Sequence, residues 1–403
     1  MVKEFLSNIF YRRNPWRNAS FSEVGQLYTA RLMRTIAVHL GAAFMSVFIL
    51  KQGYSIVAVS LFWAAYFGYK VIAMLPLAQL IAYIGPKKAI IISNLLYIPS
   101  MVAFIFLEQF GTPVLIVTIL FQGASAALYD MGYFISFSRV NNAKKAGKEV
   151  ATMNIVEQIA KGLSPLIGGL LAMFFDPRAS IAASTIFFLF AAWPLTRTAD
   201  SMTTGFSLAP KGFPWKQASR SLLAQIPIGF DVYASGTAWS LFLASLIFTA
   251  SGNTVYAELG MLTSLILLVS LASTYAYGKL IDKRAGGQLL TWAAAGNAIV
   301  HLFRALIRTP VAAVGANAVS EVMITGYSMA FMRGTLDVAN SIKYRVFYAG
   351  MLQLAINFGL VIASLVLAGV MFLLDTRSGF TIFYLITALV SSAIIFTKFK
   401  IYK

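Results

Sequence analysis

The sequence predicts an all-α integral membrane protein of about twelve transmembrane helices in two six-helix, pseudo-symmetric bundles, and three observations predict it. Of its 403 residues, 59% are hydrophobic and only 11% are charged, with a mean hydropathy of +0.76. That balance suits a bilayer and not a soluble globule. The apolar residues come in runs of about 20 or more, the length a helix needs to cross a hydrocarbon core of about 30 Å. Runs such as LVIASLVLAGVMFLL (360–374) show none of the polar alternation of a barrel strand. Finally, the polar interval RTADSMTTGFSLAPKGFPWKQASR (197–220) leaves six runs on either side of it.

The elements follow in order. Residues 1–20 lack the continuous apolar core and small-residue cleavage site of a secretory signal. They read as a retained cytoplasmic tail whose Phe5, Ile9, Phe10 and Trp16 suit a membrane surface. The first bundle, 21–196, holds runs at 24–50, 54–82, 87–107, 112–138, 149–174 and 178–196. After the cytoplasmic linker, 197–220, the second bundle, 221–403, holds runs at 221–250, 254–281, 287–307, 310–332, 343–373 and 378–397 and a short cytoplasmic tail. Gly, Pro and charges close the runs, as in KQGY (51–54), YIGPKK (83–88), FGTP (110–113), FDPR (175–178), RTP (308–310) and LDTRSG (374–379).

Charge gives the orientation. With both termini inside, 23 Lys and Arg fall on the tails, the linker and the even connections, against five outside: Lys51, Arg178, Arg304, Arg308 and Arg377. A bias this one-sided predicts cytoplasmic termini, in a bacterial-type inner membrane. The net charge of +18 is thus a topology signal spread over short loops, not a nucleic-acid surface. There is no Cys, and two His cannot build a zinc site, so thiolate chemistry is excluded and no metal or cofactor is implied.

Charges inside a span point to a pathway, because facing lipid costs several kcal/mol. The substrate or coupling candidates are Arg31, Arg34 and His39 on the first helix, Lys70 on the second, Asp130 on the fourth, Glu157 on the fifth, Asp231 on the seventh and Glu321 on the tenth. Asp130 and Glu321 are the candidate proton carriers. Glu157 and Lys161, four apart on one helical face, either neutralise each other or meet the substrate. A shift of 200 residues superimposes Arg31 on Asp231, which suggests an ion pair across the pseudo-twofold axis. Among the aromatics, Tyr129, Trp239 and Tyr327 can line a cavity as well as face lipid.

The same shift aligns AQLIAYIGPKK (78–88) with GKLIDKRAGGQ (278–288). In the second stretch Gly278, Asp282, Lys283 and Gly286 resemble the signature loop of the major facilitator superfamily; the first keeps Gly85, Lys87 and Lys88, with Ala78 and Ala82 in place of Gly and Asp. Read with the six-plus-six pattern, the chain resembles that superfamily over its whole length. The resemblance implies a cytoplasmic gate in which Asp282 pairs with Arg333, while Ala82 leaves Arg139 without the equivalent carboxylate. In KGLSPLIGG (161–169), Pro165, Gly168 and Gly169 resemble the fifth-helix signature of proton-exchanging exporters, with Ser164 and Ile155 where that signature has glycines.

The function expected is therefore not enzymatic. It is secondary transport by alternating access: proton-coupled export, by antiport, of a small organic solute, by a monomer in contact with membrane lipids. The alternative is a lipid or lysolipid flippase on the same fold. A phosphate-binding GxxxxGK[ST] loop is absent, which disfavours an ATP-driven pump.

Overall fold

The computed structural model describes residues 23–140, 146–197, 211–248, 253–282, 285–342 and 344–402, with side chains described at all of these except 23–24, 138–140, 146–154, 197 and 282. The N-terminal tail, most of the linker, Lys283 and Arg284 lie outside the described residues, as do the side chains of Arg139 and Asp282.

The described residues form twelve long helical segments and no strand. In the first half they are α1 (Gly25–Lys51), α2 (Ile56–Ile84), α3 (Pro86–Ile105), α4 (Thr112–Val140), α5 (Ala146–Phe174) and α6 (Pro177–Thr196). In the second they are α7 (Trp215–Ile247), α8 (Thr254–Ile281), α9 (Gly286–Arg304), α10 (Pro310–Ser341), α11 (Arg345–Leu373) and α12 (Thr376–Phe396).

Local chemistry sets the ends. Ser55 accepts from the Ala58 N–H at the start of α2, Asp176 from that of Arg178 at α6, and Asp375 from those of Arg377 and Ser378 at α12. Pro86, Pro177 and Pro310 occupy first turns, where no backbone donor is needed. Gly85, at φ +90°, makes the turn between α2 and α3 that a side chain would resist.

Ten segments are long and apolar enough to cross a membrane. The other two, α9 and α10, are as long, but they carry Asn297, His301, Arg304, Ser320 and Glu321, which dilute their hydropathy. Two boundaries differ from the sequence expectation. The helix of α7 already begins at Trp215, and α10 runs on past 332 to Ser341. Leu336, Val338 and Ala339 remain buried, so Arg333 and Asp337 are partly buried charges on a continuing helix, not loop residues.

Successive long helices alternate direction. The even connections and the linker therefore share one face, and the odd connections share the opposite face. The main contacts between the halves are α2 with α11 and α5 with α8. Apolar side chains close this seam at both faces. Near the odd connections Phe44, Phe48, Trp63 and Phe67 share a core with Tyr233, Trp239, Phe242 and Tyr256. Near the linker face Met74, Ala78, Ile81 and Met131 pack with Val346 and Ala349. The polar groups of the interior lie between these two plugs.

Candidate functional site

Each half buries one charge from its first helix against its third and fourth helices. In the first half, the Arg34 guanidinium donates from Nη1 to Asn94 Oδ1 at 2.7 Å and from Nη2 to Ser125 Oγ at 3.2 Å. It also lies 4.0 Å from the centroid of the Tyr129 ring, and only 5% of the residue is exposed. A buried cation is tolerable only when its donors are used; here α3 and α4 supply the acceptors and the π face.

In the second half the charge is reversed. Asp231 is 0% exposed and accepts three hydrogen bonds: from Asn297 Nδ2 at 2.7 Å, from His301 Nε2 at 2.5 Å, and from the Tyr327 hydroxyl. One helical turn past His301, Arg304 is 1% exposed and donates to Ser235 Oγ and Ser320 Oγ, both at 3.0 Å. Its guanidinium carbon sits 4.6 Å from the Trp239 ring centroid.

Between the halves lies a charged seam. Arg31 pairs with Glu157, and Lys161 reaches the other oxygen of the same carboxylate at 3.2 Å. One residue on, Gln158 Nε2 donates across the seam to Glu321 Oε1 at 3.0 Å. Ser270 of α8 donates to the same oxygen at 2.9 Å. On the other side of the first half, Lys70 pairs with Asp130 at 3.2 Å.

The candidates thus fall into groups that the sequence did not display. The expected Arg31–Asp231 pair is corrected: Arg31 is held by Glu157 and the Tyr133 ring, and Asp231 by Asn297, His301 and Tyr327, so each finds its partners within its own half. Glu157 and Lys161 do neutralise each other, but as part of a triad with Arg31. His39 turns back on its own helix, its Nδ1 2.9 Å from the Thr35 carbonyl. Arg304, expected in an outer loop, is inside the protein. Asn297, His301 and Arg304 went unrecognised as a group, although their spacing of four and then three places them on one face of α9.

The glycines of the fifth-helix motif are contact points. A Cβ on Gly168 would stand 2.0 Å from the Leu40 carbonyl oxygen of α1; one on Gly169 would stand 2.4 Å from that of Tyr256 in α8. Pro165 meets α8 as well, since a Cβ on Gly260 would stand 2.4 Å from its carbonyl oxygen.

At the expected gate, Gly278 is buried in α8 and Arg333 is partly buried in α10. The Asp282 side chain is outside the described residues. The last residues of the chain fold over this end. The Tyr402 hydroxyl donates to the Ala330 carbonyl at 2.8 Å, and its ring lies where a Cβ on Gly286 would be 2.3 Å away. Burial raises the Tyr402 phenol above its ordinary pKa, with the Arg333 guanidinium pulling the other way.

Three solved structures share this arrangement of helices. The human organic anion transporter MFSD10 (TETRAN) is 13% identical, with a TM-score of 0.66 over 92% of this chain and 98% of that one. The transporter FucP of E. coli, a fucose:proton symporter, in its outward conformation is 15% identical, with a TM-score of 0.65 over 93% and 97%. A bacterial homologue of the iron transporter ferroportin in its outward-facing state is also 15% identical, at 0.65 over 93% and 98%. At these identities the likeness is one of fold. The comparison with curated proteins finds no match. Residues 27–336, more than half the chain, match the family model described as Major Facilitator Superfamily. The chain therefore belongs to the major facilitator superfamily, and its fold is that of a secondary transporter in a membrane.

Proposed function

We propose that the protein is a proton-coupled carrier of a small organic solute, working by alternating access between the halves 21–196 and 221–403, with both termini cytoplasmic. The observation that carries this reading is the charged seam itself. Glu321 of the second half accepts a hydrogen bond from Gln158 of the first, one residue from the Arg31–Glu157–Lys161 triad. Rocking the halves apart breaks that hydrogen bond and leaves the carboxylate facing whichever side has opened. A proton taken up there neutralises the group before the seam closes again, which couples closure to protonation.

The fifth-helix glycines Gly168 and Gly169, with Pro165, support the rocking itself, since they lie where α5 meets both α1 and α8. Asp130 is the weaker proton carrier, because Lys70 already holds its charge.

The test is transport in liposomes, using a solute chosen by a melting screen of organic anions, organic cations, sugars and lysolipids. Glu321→Gln should abolish uphill transport driven by a pH gradient and preserve solute exchange at equal pH. Uphill transport at the wild-type rate in this variant would reject Glu321 as the carrier. A melting shift confined to lysolipids would replace the solute with a lipid.

A further inference from the structure

Four buried polar atoms of the second half stand without a partner, and their side chains are contiguous. Arg304 Nε, Trp239 Nε1, the Tyr384 hydroxyl and His301 Nδ1 are all buried with no hydrogen-bond partner among the described residues. Their side chains touch in sequence. The Arg304 guanidinium lies 4.6 Å from the Trp239 ring centroid, the Trp239 and Tyr384 rings are 6.2 Å apart, and the Tyr384 and His301 rings are stacked at 6.1 Å. A buried donor left unmade costs about 1–3 kcal/mol. Three such donors beside the unpartnered His301 Nδ1 make this patch a candidate for a ligand that accepts hydrogen bonds.

The chemistry of that something follows from the groups. Arg Nε and Trp Nε1 can only donate, and a Tyr hydroxyl can donate. The Asp231 carboxylate takes its hydrogen bonds from Asn297, His301 and Tyr327 and none from these atoms. Arg304 has only serine hydroxyls on its other nitrogens, and no carboxylate among the described residues forms a salt bridge with it. A second observation marks the same place. The helix of α7 widens to π-helical turns at Ala234–Ala238 and Leu243–Ile247, which bracket Trp239 and include Ser235. Such turns are rare and frequent at functional sites.

We propose that Arg304, Trp239, Tyr384 and His301 bind the anionic group of the transported solute, a carboxylate or another small oxyanion, and that His301 takes up a proton as the anion enters. His301 donates from Nε2 to Asp231, so in its neutral form Nδ1 is an acceptor that repels an anion; protonated, it becomes a fourth donor. The titratable and charged groups around it are Asp231 on α7, Arg304 on its own helix, Glu321 and Tyr327 on α10 and Tyr384 on α12. The site itself rests on this geometry; only calling its ligand the transported solute rests on the carrier reading.

Calorimetry on the full-length protein in phosphatidylcholine nanodiscs tests it, with benzoate, succinate and inorganic phosphate as anions and benzamide as the neutral isostere of benzoate. Two buffers of different ionisation enthalpy count the protons. At least one anion should bind, with uptake of about one proton, and benzamide should bind at least about tenfold more weakly than benzoate if benzoate is that anion. Trp239→Phe, which keeps the ring and removes one donor, should weaken anion binding about tenfold. Tyr384→Phe should do the same, and His301→Gln should remove the proton uptake. Failure of all three anions to bind, equal binding of benzoate and benzamide, or unchanged affinity in both Phe variants would overturn the site. An anion that binds with proton uptake but is not carried across liposomes would leave the site standing and sink the carrier reading. An anion that is transported normally by both Phe variants would do the reverse.

Discussion

Gly168 and Gly169 are neighbours in sequence and face different partners, so they separate two effects that a motif conflates. Alanine at 168 would drive a methyl into the Leu40 carbonyl oxygen, inside the first half, while alanine at 169 would drive one into Tyr256 of the second half. Backbone cannot retreat as a flexible side chain can, and overpacking costs about 1–3 kcal/mol. Gly168→Ala is expected to lower the melting temperature by several degrees in either conformation. Gly169→Ala should instead weaken the contact between the halves, favouring the state in which α5 and α8 part, with a smaller loss of melting temperature. Equal melting losses and an unmoved conformational balance would show that both glycines serve only packing. The sequence made these residues visible by resemblance, but it was silent on which glycine meets which helix, because that depends on the rotation of α5. It was misleading at Arg304: a charge at the end of an apolar run reads as a loop residue, and only tertiary packing reveals Ser235, Ser320 and Trp239 around it.

At the scale of elements, the end of α8 and the start of α9 carry the loop that first suggested a gate. Two residues of that loop do different work. Gly286 leaves room for the Tyr402 ring, and Gly334 of α10 does the same for Phe399. Gly286→Val is therefore expected to expel the last residues of the chain, which should then be trimmed severalfold faster by carboxypeptidase while the helical core melts unchanged. Asp282 carries the proposed latch to Arg333, a residue that lies within α10 and not at its end. Asp282→Asn should shift the balance toward the state open at the linker face, read as a longer spin-label distance there, with the melting temperature largely kept. An unchanged distance distribution would reject the latch. Helix number and order were legible because hydropathy and punctuation are local properties. The end of α10 was not, since Arg333 and Asp337 mimic a loop and their helical setting comes from burial of Leu336, Val338 and Ala339. The polar faces of α9 and α10 likewise weaken the membrane signal in two of the helices that carry buried polar groups.

For the whole molecule, apolar plugs at both faces enclose a charged interior, and a carrier on this plan must open one plug while the other holds. The absence of Cys makes this directly measurable, because introduced thiols are then the only reactive ones. Lys51 and Arg308 are exposed near the odd connections, in different halves, and Lys88 and Lys398 are exposed in different halves near the linker face. Cysteine pairs at 51 with 308 and at 88 with 398, spin-labelled in liposomes, should give broad or two-component distance distributions. A bound solute should move the two pairs in opposite directions. Single cysteines at 88 and 398 should react with a membrane-impermeant maleimide only from the cytoplasmic side, and those at 51 and 308 only from the other, as the Lys and Arg bias requires. Labelling from the reverse sides would invert the orientation without touching the fold. Two fixed distances, unmoved by solute or pH, would leave both plugs shut and reject alternating access between these halves, whatever the interior binds.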